Sequence, residues 1–325
     1  MNANMELPSL VYVLRCLLRD TFRQSLASRT FWLILAFSGV CILFCLSVRI
    51  EGATAWKPPG EIELYGPDRQ PFTGLNAGEG RLSMAFGAVR LRLFRDGEAE
   101  IVFLQTLLAR WGASAVGMLL VLLWTCGFLP EFLQPQSASV LMAKPVPRWV
   151  LLAGKYLGVL AFVTFQALVF IGGTWLALGL KTGFWTPGYL FVIPLLVLEF
   201  AFLYGVSALL AVWTRSTVIC LVGSLLFWAA CASLNFTRHS VVPHAAPQPA
   251  AALLEAGYWV LPKPTDINLL LGQLLHSDKH FHDRSELSAA QAANQFNPGL
   301  SLVTSFLFTA AILALAGRRL ARADY

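Results

Sequence analysis

The sequence predicts an all-α membrane protein of one domain, with six transmembrane helices, an amino-terminal interfacial helix and a small extracytoplasmic insert that contains β structure. Hydrophobic residues make up 57% of the 325 residues and charged residues only 13%, a composition that suits a bilayer better than a soluble core. Six apolar runs are long enough to cross a hydrocarbon core of about 30 Å. Basic residues concentrate at alternate ends of these runs, as the positive-inside rule predicts for a multi-pass protein.

The positions of the bases and cysteines argue against nucleic-acid binding and against disulfide bonds. The net charge of +6 does not indicate nucleic-acid binding, because the bases lie beside apolar runs and not on a polar face with interleaved aromatic residues. The six cysteines also lie within or beside apolar runs, away from the two long polar loops where an oxidising compartment would pair them. We interpret the cysteines as small hydrophobic residues.

The first element in the chain is an amphipathic helix predicted over residues 10–29. Its apolar residues recur at helical spacing, and polar residues occupy the other side. The apolar set is Leu10, Val13, Leu14, Leu17 and Leu18, and the polar set is Arg15, Arg19, Asp20, Arg23 and Gln24. We expect this helix to lie in the membrane interface, because Phe31 opens a span directly after it. An ordinary surface helix with a solvated charged face is the alternative.

The apolar runs predict six spans. They lie at residues 31–48, 111–129, 150–178, 189–213, 217–235 and 299–316. The connection at Arg215 is so short that spans 4 and 5 are expected to be antiparallel neighbours. In span 3, Gly172 and Gly173 mark a place where another helix can approach closely.

The first polar insert, residues 49–96, is predicted to be a small β element. Glycines and prolines punctuate two strand-like pieces at 61–65 and 81–94, the second of which turns at Phe86-Gly87. After it, Asp96 is expected to cap the helix that leads into span 2. Bases and acids balance in this insert, so no excess of positive charge holds it in the cytoplasm.

The second polar insert, residues 236–298, is rich in proline and is expected to hold short amphipathic or re-entrant helices at 250–260 and 267–275. Neither insert carries a marked excess of bases, whereas the opposite side of the six spans carries 11 bases against four acids. This distribution places the inserts outside and both termini in the cytoplasm, in a protein of the cytoplasmic membrane.

The loop between spans 2 and 3, residues 130–149, carries prolines, an acid and bases where a simple turn would suffice. Pro130 and Pro135 interrupt the helix as span 2 reaches the cytoplasm, and the segment 144–148 redirects the chain into span 3. The sequence contains no G-x-x-x-x-G-K-[ST] phosphate-binding loop. We therefore expect a chain that is not an enzyme and that depends on a partner for any coupling to ATP.

This loop is similar to that of the ABC-2 type transporter permeases, notably their copper-system NosY-like branch. The likeness rests on the acid Glu131, on the segment LMAKPVPR at 141–148 and on GKYLG at 154–158, which fits a G-K-x-x-G pattern. The order of elements is also similar over most of the chain. Many members carry Gly-Thr after the acid, where this chain has Pro135 and Gln136.

The resemblance implies that the loop contains a coupling helix that rests on a separate ATPase subunit, with ATP and Mg²⁺ bound by that subunit and no cofactor in this chain. It also implies that two permease subunits, identical or similar, pair around the substrate path. The implied docking residues are Glu131, Gln134, Ser137, Leu141, Lys144, Pro145 and Arg148. The alternative for Lys144 and Arg148 is that they only fix topology by binding lipid phosphates at helix ends.

Two other groups of residues have the chemistry of a site. Glu199 is the only carboxylate predicted inside a span, where an ionisable group is costly unless it faces protein or water, so it is a candidate for the substrate path. The alternative is a carboxylate without a substrate role that lies near an end of the span or is paired with a neighbouring polar group such as Gln166. His276, His280 and His282 are weak metal candidates, because one flexible run rarely supplies three converging ligands, and a solvated loop is favoured.

The favoured function is therefore the permease subunit of an ATP-driven transporter. A membrane anchor that transmits the motion of an ATPase to outer partners, without a translocation path, is the second hypothesis. A secondary carrier driven through Glu199 is the third, and the absence of repeated halves in the sequence argues against it.

Overall fold

A computed structural model describes residues 7–51, 81–92, 97–133, 147–240, 248–275 and 297–322. Within these ranges the chain is mainly helical, and six helices are long and apolar enough to span a membrane. They are span 1, Arg29–Leu46; span 2, Gly97–Phe132; span 3, Arg148–Thr182; span 4, Pro187–Thr214; span 5, Thr217–Arg238; and span 6, Pro298–Arg322. The prediction of a multi-pass membrane protein with six spans is confirmed.

The other helices lie at the two ends of this bundle. The amino-terminal helix covers Leu7–Ala27, and Ser28 separates it from span 1. Two short helices cover Gln248–Val260 and Pro264–Leu274, close to the bounds predicted for them. We call the end of the bundle that holds Phe132 and Arg148 the loop end, and the end that holds the short helices the insert end.

Spans 2 and 3 are longer than their apolar runs predicted. Their 36 and 35 residues correspond to more than 50 Å of helix at about 1.5 Å per residue, so both helices extend past a hydrocarbon core of about 30 Å. Each also contains a stretch of π-helix, Leu108–Gly117 in span 2 and Leu168–Gly172 in span 3. The hydrophobic periodicity gave no sign of these wider turns.

A three-stranded antiparallel sheet lies at the insert end. Strand β1 is Arg49–Glu51, β2 is Arg81–Met84 and β3 is Val89–Arg92, in the order β1-β2-β3. The hairpin predicted over 81–94 is present, and its turn is made by Ala85–Gly87. Sequence reasoning missed β1, and the piece predicted at 61–65 lies outside the described residues.

The turn of the hairpin is fastened to the end of span 1. Ala85, Phe86 and Gly87 all have positive φ angles, of 51°, 56° and 95°, and the Ala85 N–H donates to Ser47 Oγ at 2.9 Å. The Ser47 hydroxyl itself donates to the Phe44 carbonyl at the end of span 1. The sheet is therefore held against the membrane-spanning bundle by the first residues that follow a span.

Span 4 occupies the centre of the bundle. Of the 18 residues in its most apolar stretch, 67% are buried, whereas the corresponding shares are 17% in span 5 and 22% in span 6. Span 4 packs against spans 3, 5 and 6. Arg215, in the left-handed conformation, and Ser216 make the whole connection to span 5. Spans 4 and 5 are antiparallel neighbours, as the short connection predicted.

Two apolar clusters fill the bundle, one toward each end. Aromatic rings dominate the loop-end cluster, where Phe31, Trp124 and Phe162 meet with ring centroids 5.0 to 5.9 Å apart. The insert-end cluster includes Ile101, Ile171 and Tyr189, each fully buried. Most of the remaining apolar side chains lie on exposed outer faces, which is the distribution expected when the surroundings are lipid.

One of the two predicted contact glycines is at a helix crossing. A Cβ added to Gly173 would overlap Ile42 of span 1, whereas a Cβ on Gly172 would meet nothing within 4 Å. Of these two glycines, only Gly173 therefore lies where spans 1 and 3 approach closely.

We expect Gly173→Leu to destabilise the protein by about 1–3 kcal/mol, the usual cost of overpacking a tight contact. Gly172→Leu, one residue away in the same span, is the matched control and should be near neutral. The measurement is the thermal unfolding midpoint of the detergent-solubilised protein. Equal losses for the two variants would contradict the close approach at Gly173.

Candidate functional site

The amino-terminal helix crosses span 3 at the two glycines of the G-K-x-x-G pattern. A Cβ on Gly154 would overlap Leu17, and a Cβ on Gly158 would lie 2.8 Å from Thr21 Oγ1 and 3.3 Å from Thr21 Cβ. Gly154 and Gly158 are one turn apart and share a face of span 3. The pattern therefore makes a flat seat on span 3 for the amino-terminal helix.

Lys155, between these glycines, forms the centre of a polar network. Its ammonium group lies 3.1 Å from Asp20 Oδ2 and donates to Gln24 Oε1 at 2.8 Å. Gln24 Nε2 in turn donates to Glu131 Oε2 at 3.1 Å. Lys155 is only 1% exposed, so these partners replace the water that its charge has lost.

Span 2 contributes apolar as well as polar groups to this network. The Lys155 ammonium lies 5.9 Å from the centroid of the Phe128 ring and 5.6 Å from that of Phe132, distances at which an aromatic face attracts a cation. Asp20, Gln24, Lys155 and Glu131 also line an open cavity of about 660 Å³. We call these four residues the loop-end network.

The network joins the residues on both sides of the loop between spans 2 and 3. Glu131 is three residues before the segment 134–146, and Lys155 is about two turns beyond the start of span 3 at Arg148. Arg148 itself donates to the carbonyl of Leu320, near the end of span 6, at 3.2 Å. The amino-terminal helix and span 6 therefore both contact the base of the loop.

Two of the seven predicted docking residues, Glu131 and Arg148, lie in this arrangement. The other five, Gln134, Ser137, Leu141, Lys144 and Pro145, lie outside the described residues. Lys155 was not among the predicted site residues, although the G-K-x-x-G pattern contains it. The missing information was its partner, because Asp20 is 135 positions away in the chain.

Glu199 lies near the middle of span 4 and is 4% exposed. Its Oε2 accepts a hydrogen bond from Ser114 Oγ at 3.0 Å, and Ser114 belongs to the π-helical stretch of span 2. Glu199 is thus paired with a neighbouring polar group, as the alternative had it, but that group is Ser114 and not Gln166, which donates to Ser38 Oγ and to the Ile34 carbonyl of span 1. The alternative of a position near the end of the span is wrong.

The space beside Glu199 is small. Glu199, Trp228 of span 5 and Pro262 line a cavity of about 20 Å³, which is room for one water molecule. This carboxylate contacts span 2, span 5 and the connection between the short helices. The structure therefore brings Glu199 into a buried polar contact between spans 2 and 4.

A second polar assembly at the insert end was not predicted. Arg238 makes a bidentate pair with Glu255, with Nε–Oε2 at 2.9 Å and Nη2–Oε1 at 3.0 Å. Tyr258 donates to Asp266 Oδ2 at 2.5 Å, and Lys263 donates to Thr304 Oγ1 of span 6 at 2.6 Å. We call Arg238, Glu255, Tyr258, Lys263 and Asp266 the insert-end cluster.

Four of the five residues of the insert-end cluster are buried, whereas the Glu255 side chain is 45% exposed, and the cluster joins four helices. Lys263 and Asp266 are fully buried, and Arg238 is 6% exposed. The Tyr258 ring lies between two cations, 3.7 Å from Arg238 Cζ and 4.7 Å from Lys263 Nζ. The two acids and two bases of the cluster thus connect the short helices to spans 5 and 6. The residues are scattered over a proline-rich insert without a motif, so no pattern in the sequence indicated the cluster.

The surroundings of Lys263 change its acidity. The pKa of Lys263 is lowered to about 8, chiefly because the side chain is buried; the Asp266 carboxylate raises the pKa and the Arg238 cation lowers it. Burial disfavours the charged form of the amine, and the nearby acid does not fully compensate.

The described parts of the chain show no candidate metal-binding site. They contain no group of three or more His, Cys, Asp or Glu side chains that could hold an ion. His276, His280 and His282 lie outside the described residues.

Comparison with known proteins adds no relative. No protein-family model matches the sequence, and no curated protein gives a significant match.

We expect Asp20→Ala to destabilise the docked amino-terminal helix more than Lys155→Met does. The first change leaves a buried ammonium group without its carboxylate, at a cost of about 1–3 kcal/mol. The second leaves a carboxylate that is 64% exposed and can be hydrated. The measurement is the rate at which a protease cleaves the purified protein between the amino-terminal helix and span 1, because an undocked helix is cleaved faster.

Lys181→Met, an exposed lysine at the insert end of span 3, controls for loss of a positive charge and should leave cleavage unchanged. Faster cleavage of Lys155→Met than of Asp20→Ala would contradict the assignment of Lys155 as the buried member of the pair.

We also expect the wild-type protein to gain stability relative to Lys263→Met as the pH rises from 7.5 to 10. An unfolded lysine titrates near 10.4, so between about pH 8 and that value the unfolded chain binds more protons than the folded one, and unfolding becomes less favourable. The gain should be about 1–3 kcal/mol, at about 1.4 kcal/mol per pKa unit. Thermal unfolding midpoints of both proteins across this range measure it, and a constant difference between them would refute the lowered pKa.

Proposed function

We propose that this chain is the transmembrane permease subunit of an ATP-binding-cassette transporter of the ABC-2 type. Two copies, or one copy and a similar permease, would pair in the cytoplasmic membrane and move a substrate with ATP hydrolysed by a separate subunit. The observation that carries the proposal is the loop-end network, in which Lys155 joins the amino-terminal helix to span 3 and Gln24 joins it to Glu131.

The network suits a loop that receives force from a partner. A push on the segment 134–146 reaches span 2 through Glu131 and span 3 through Arg148, which are the residues that flank it. Because Gln24 and Lys155 tie these two spans to the amino-terminal helix, the three elements would move as one body. The hydrogen bond from Arg148 to the Leu320 carbonyl would include span 6.

The exposed surface of the amino-terminal helix supports a location in the cytoplasmic membrane interface. Its buried stripe on span 3 consists of Leu17, Thr21 and Ser25, and next to it lies an exposed apolar stripe, Leu18, Phe22 and Leu26. The following stripe consists of three exposed arginines, Arg15, Arg19 and Arg23. Apolar side chains in the acyl region with arginines at the phosphates are typical of interfacial helices.

A membrane anchor that transmits ATPase motion, without a translocation path, is a second candidate. It is favoured by the outer faces of spans 2 and 5, where the large exposed side chains are apolar. They include Trp111, Val116, Leu119 and Leu123 in span 2, and Val218, Val222 and Leu226 in span 5. If these faces meet in a dimer, the interface would be dry. A transported substrate would then have to be apolar itself.

We expect Lys144→Glu to weaken binding of the partner ATPase about tenfold, because reversal of a docking charge opposes a complementary surface. The partner to be tested is an ATPase from an adjacent reading frame, recognised by its phosphate-binding loop, and the absence of such a frame would count against the proposal. The assay is co-purification of the two proteins, followed by stimulation of ATPase activity in liposomes. Lys181→Glu, at the insert end of span 3, is the matched control and should bind the ATPase normally.

The two candidate functions separate in the same liposomes. Stimulated ATPase activity with passage of an apolar fluorescent tracer across the bilayer supports a permease, and stimulation without passage of any tracer supports the anchor. Equal binding by wild type, Lys144→Glu and Lys181→Glu would remove the docking role of the loop.

A further inference from the structure

A long groove runs along the outside of spans 3, 4 and 6. Its volume is about 940 Å³, near the upper end of the range of about 300–1,000 Å³ that is usual for ligand sites. Leu157 and Leu160 of span 3, Val197 of span 4, and Ala310 and Leu313 of span 6 form much of its wall. It is separate from the loop-end network, from Glu199 and from the insert-end cluster.

The groove is longer than one leaflet of a membrane is thick. On span 3 its lining extends from Trp149 to Thr164, and on span 6 from Phe306 to Ala321. Fifteen residues of helix correspond to about 22 Å, whereas half of a hydrocarbon core is about 15 Å. An acyl chain that entered from the loop end would lie along the wall over its whole length.

The wall offers almost no hydrogen-bonding capacity. The hydroxyl groups of Thr164 and Thr309 donate to the carbonyls of Leu160 and Ser305 in their own helices. Tyr156 donates to the Ala201 carbonyl of span 4 at 2.7 Å. A ligand with polar groups along its length would leave them unsatisfied, so the occupant must be a hydrocarbon over most of the groove.

Charge occurs at one end only. Arg318 is the one charged residue of the lining, and it lies at the loop end beside Trp149, which is 60% exposed. Tryptophan and arginine at the end of a span are typical of the level of the lipid headgroups. No ion pair of Arg318 occurs among the described residues.

We propose that this groove binds a phospholipid, with its acyl chains along spans 3, 4 and 6 and an anionic headgroup at Arg318. The apolar wall would accept the chains of any phospholipid, and the guanidinium group would select among headgroups. The binding does not depend on the proposed transport function.

A second copy of the chain fits the groove less well. It would have to present a carboxylate to Arg318, and the described carboxylates at the loop end, Asp20 and Glu131, are bonded to Lys155 and Gln24 of their own chain. A lipid phosphate supplies the negative charge and the hydrocarbon together.

The test counts lipids retained by the purified full-length protein in mixed micelles that contain equal amounts of dioleoyl phosphatidylglycerol and dioleoyl phosphatidylcholine, by native mass spectrometry. We expect wild type to retain the anionic lipid with a preference of about fivefold, the effect of one basic side chain near a membrane surface. Arg318→Gln should abolish the preference. Arg319→Gln changes the next residue, which is exposed and outside the groove lining, and should keep it.

A second pair of variants tests the position of the chains. Ala310→Trp fills the groove and should lower retention of both lipids, whereas Leu307→Trp, on an exposed face of the same span outside the lining, should not. Absence of a headgroup preference in wild type, or its equal loss in Arg318→Gln and Arg319→Gln, would overturn the proposal. So would unchanged lipid retention by Ala310→Trp together with a loss of self-association, because a second copy would then be the occupant.

Discussion

Polar groups inside this bundle depend on the protein for hydrogen-bond partners, because the hydrocarbon around it offers none. Serine and threonine side chains meet this requirement locally: the hydroxyls of Thr21, Ser38 and Thr106 each donate to the carbonyl four residues earlier in the same helix. Longer polar side chains cannot do so, and they are collected where several helices meet. The loop-end network, the Ser114–Glu199 contact and the insert-end cluster are examples of this arrangement.

The polar assemblies and the apolar clusters stabilise the bundle in different ways. The apolar clusters fill space between the spans, but hydrocarbon side chains gain little by leaving lipid for protein, so close packing and polar contacts must fix the relative positions of the helices. Lys155 does this for the amino-terminal helix, Gln24 does it for Glu131, and Arg238 and Lys263 do it for the short helices. A fully buried charge demands one particular geometry from its partners, whereas an apolar contact tolerates sliding.

The sequence was sufficient for features that depend on local pattern. The six spans follow from the length of apolar runs, the antiparallel pairing of spans 4 and 5 from the length of one connection, and the hairpin from Phe86-Gly87. The π-helical stretches could not be predicted, because they depend on how spans 2 and 3 pack. The partners of Lys155 and Arg238 could not be predicted either, since no local pattern links Asp20 to Lys155. Glu199 was identified because a carboxylate is rare inside a span. Its partner Ser114 could not be identified, because serine is common in such helices and only the fold brings this one near Glu199.

The seat at Gly154 and Gly158 also has a consequence for the order of assembly. Asp20 and Lys155 are separated by 135 positions, and chains enter the membrane from the amino terminus during synthesis. The amino-terminal helix therefore exists before the surface that receives it, and spans 1 and 2 must be inserted while it waits. Its exposed apolar stripe lets it rest on the bilayer surface during that interval. The helix that is made first thus takes its final position only after span 3 has entered the membrane, and its docking marks the completion of the amino-terminal half.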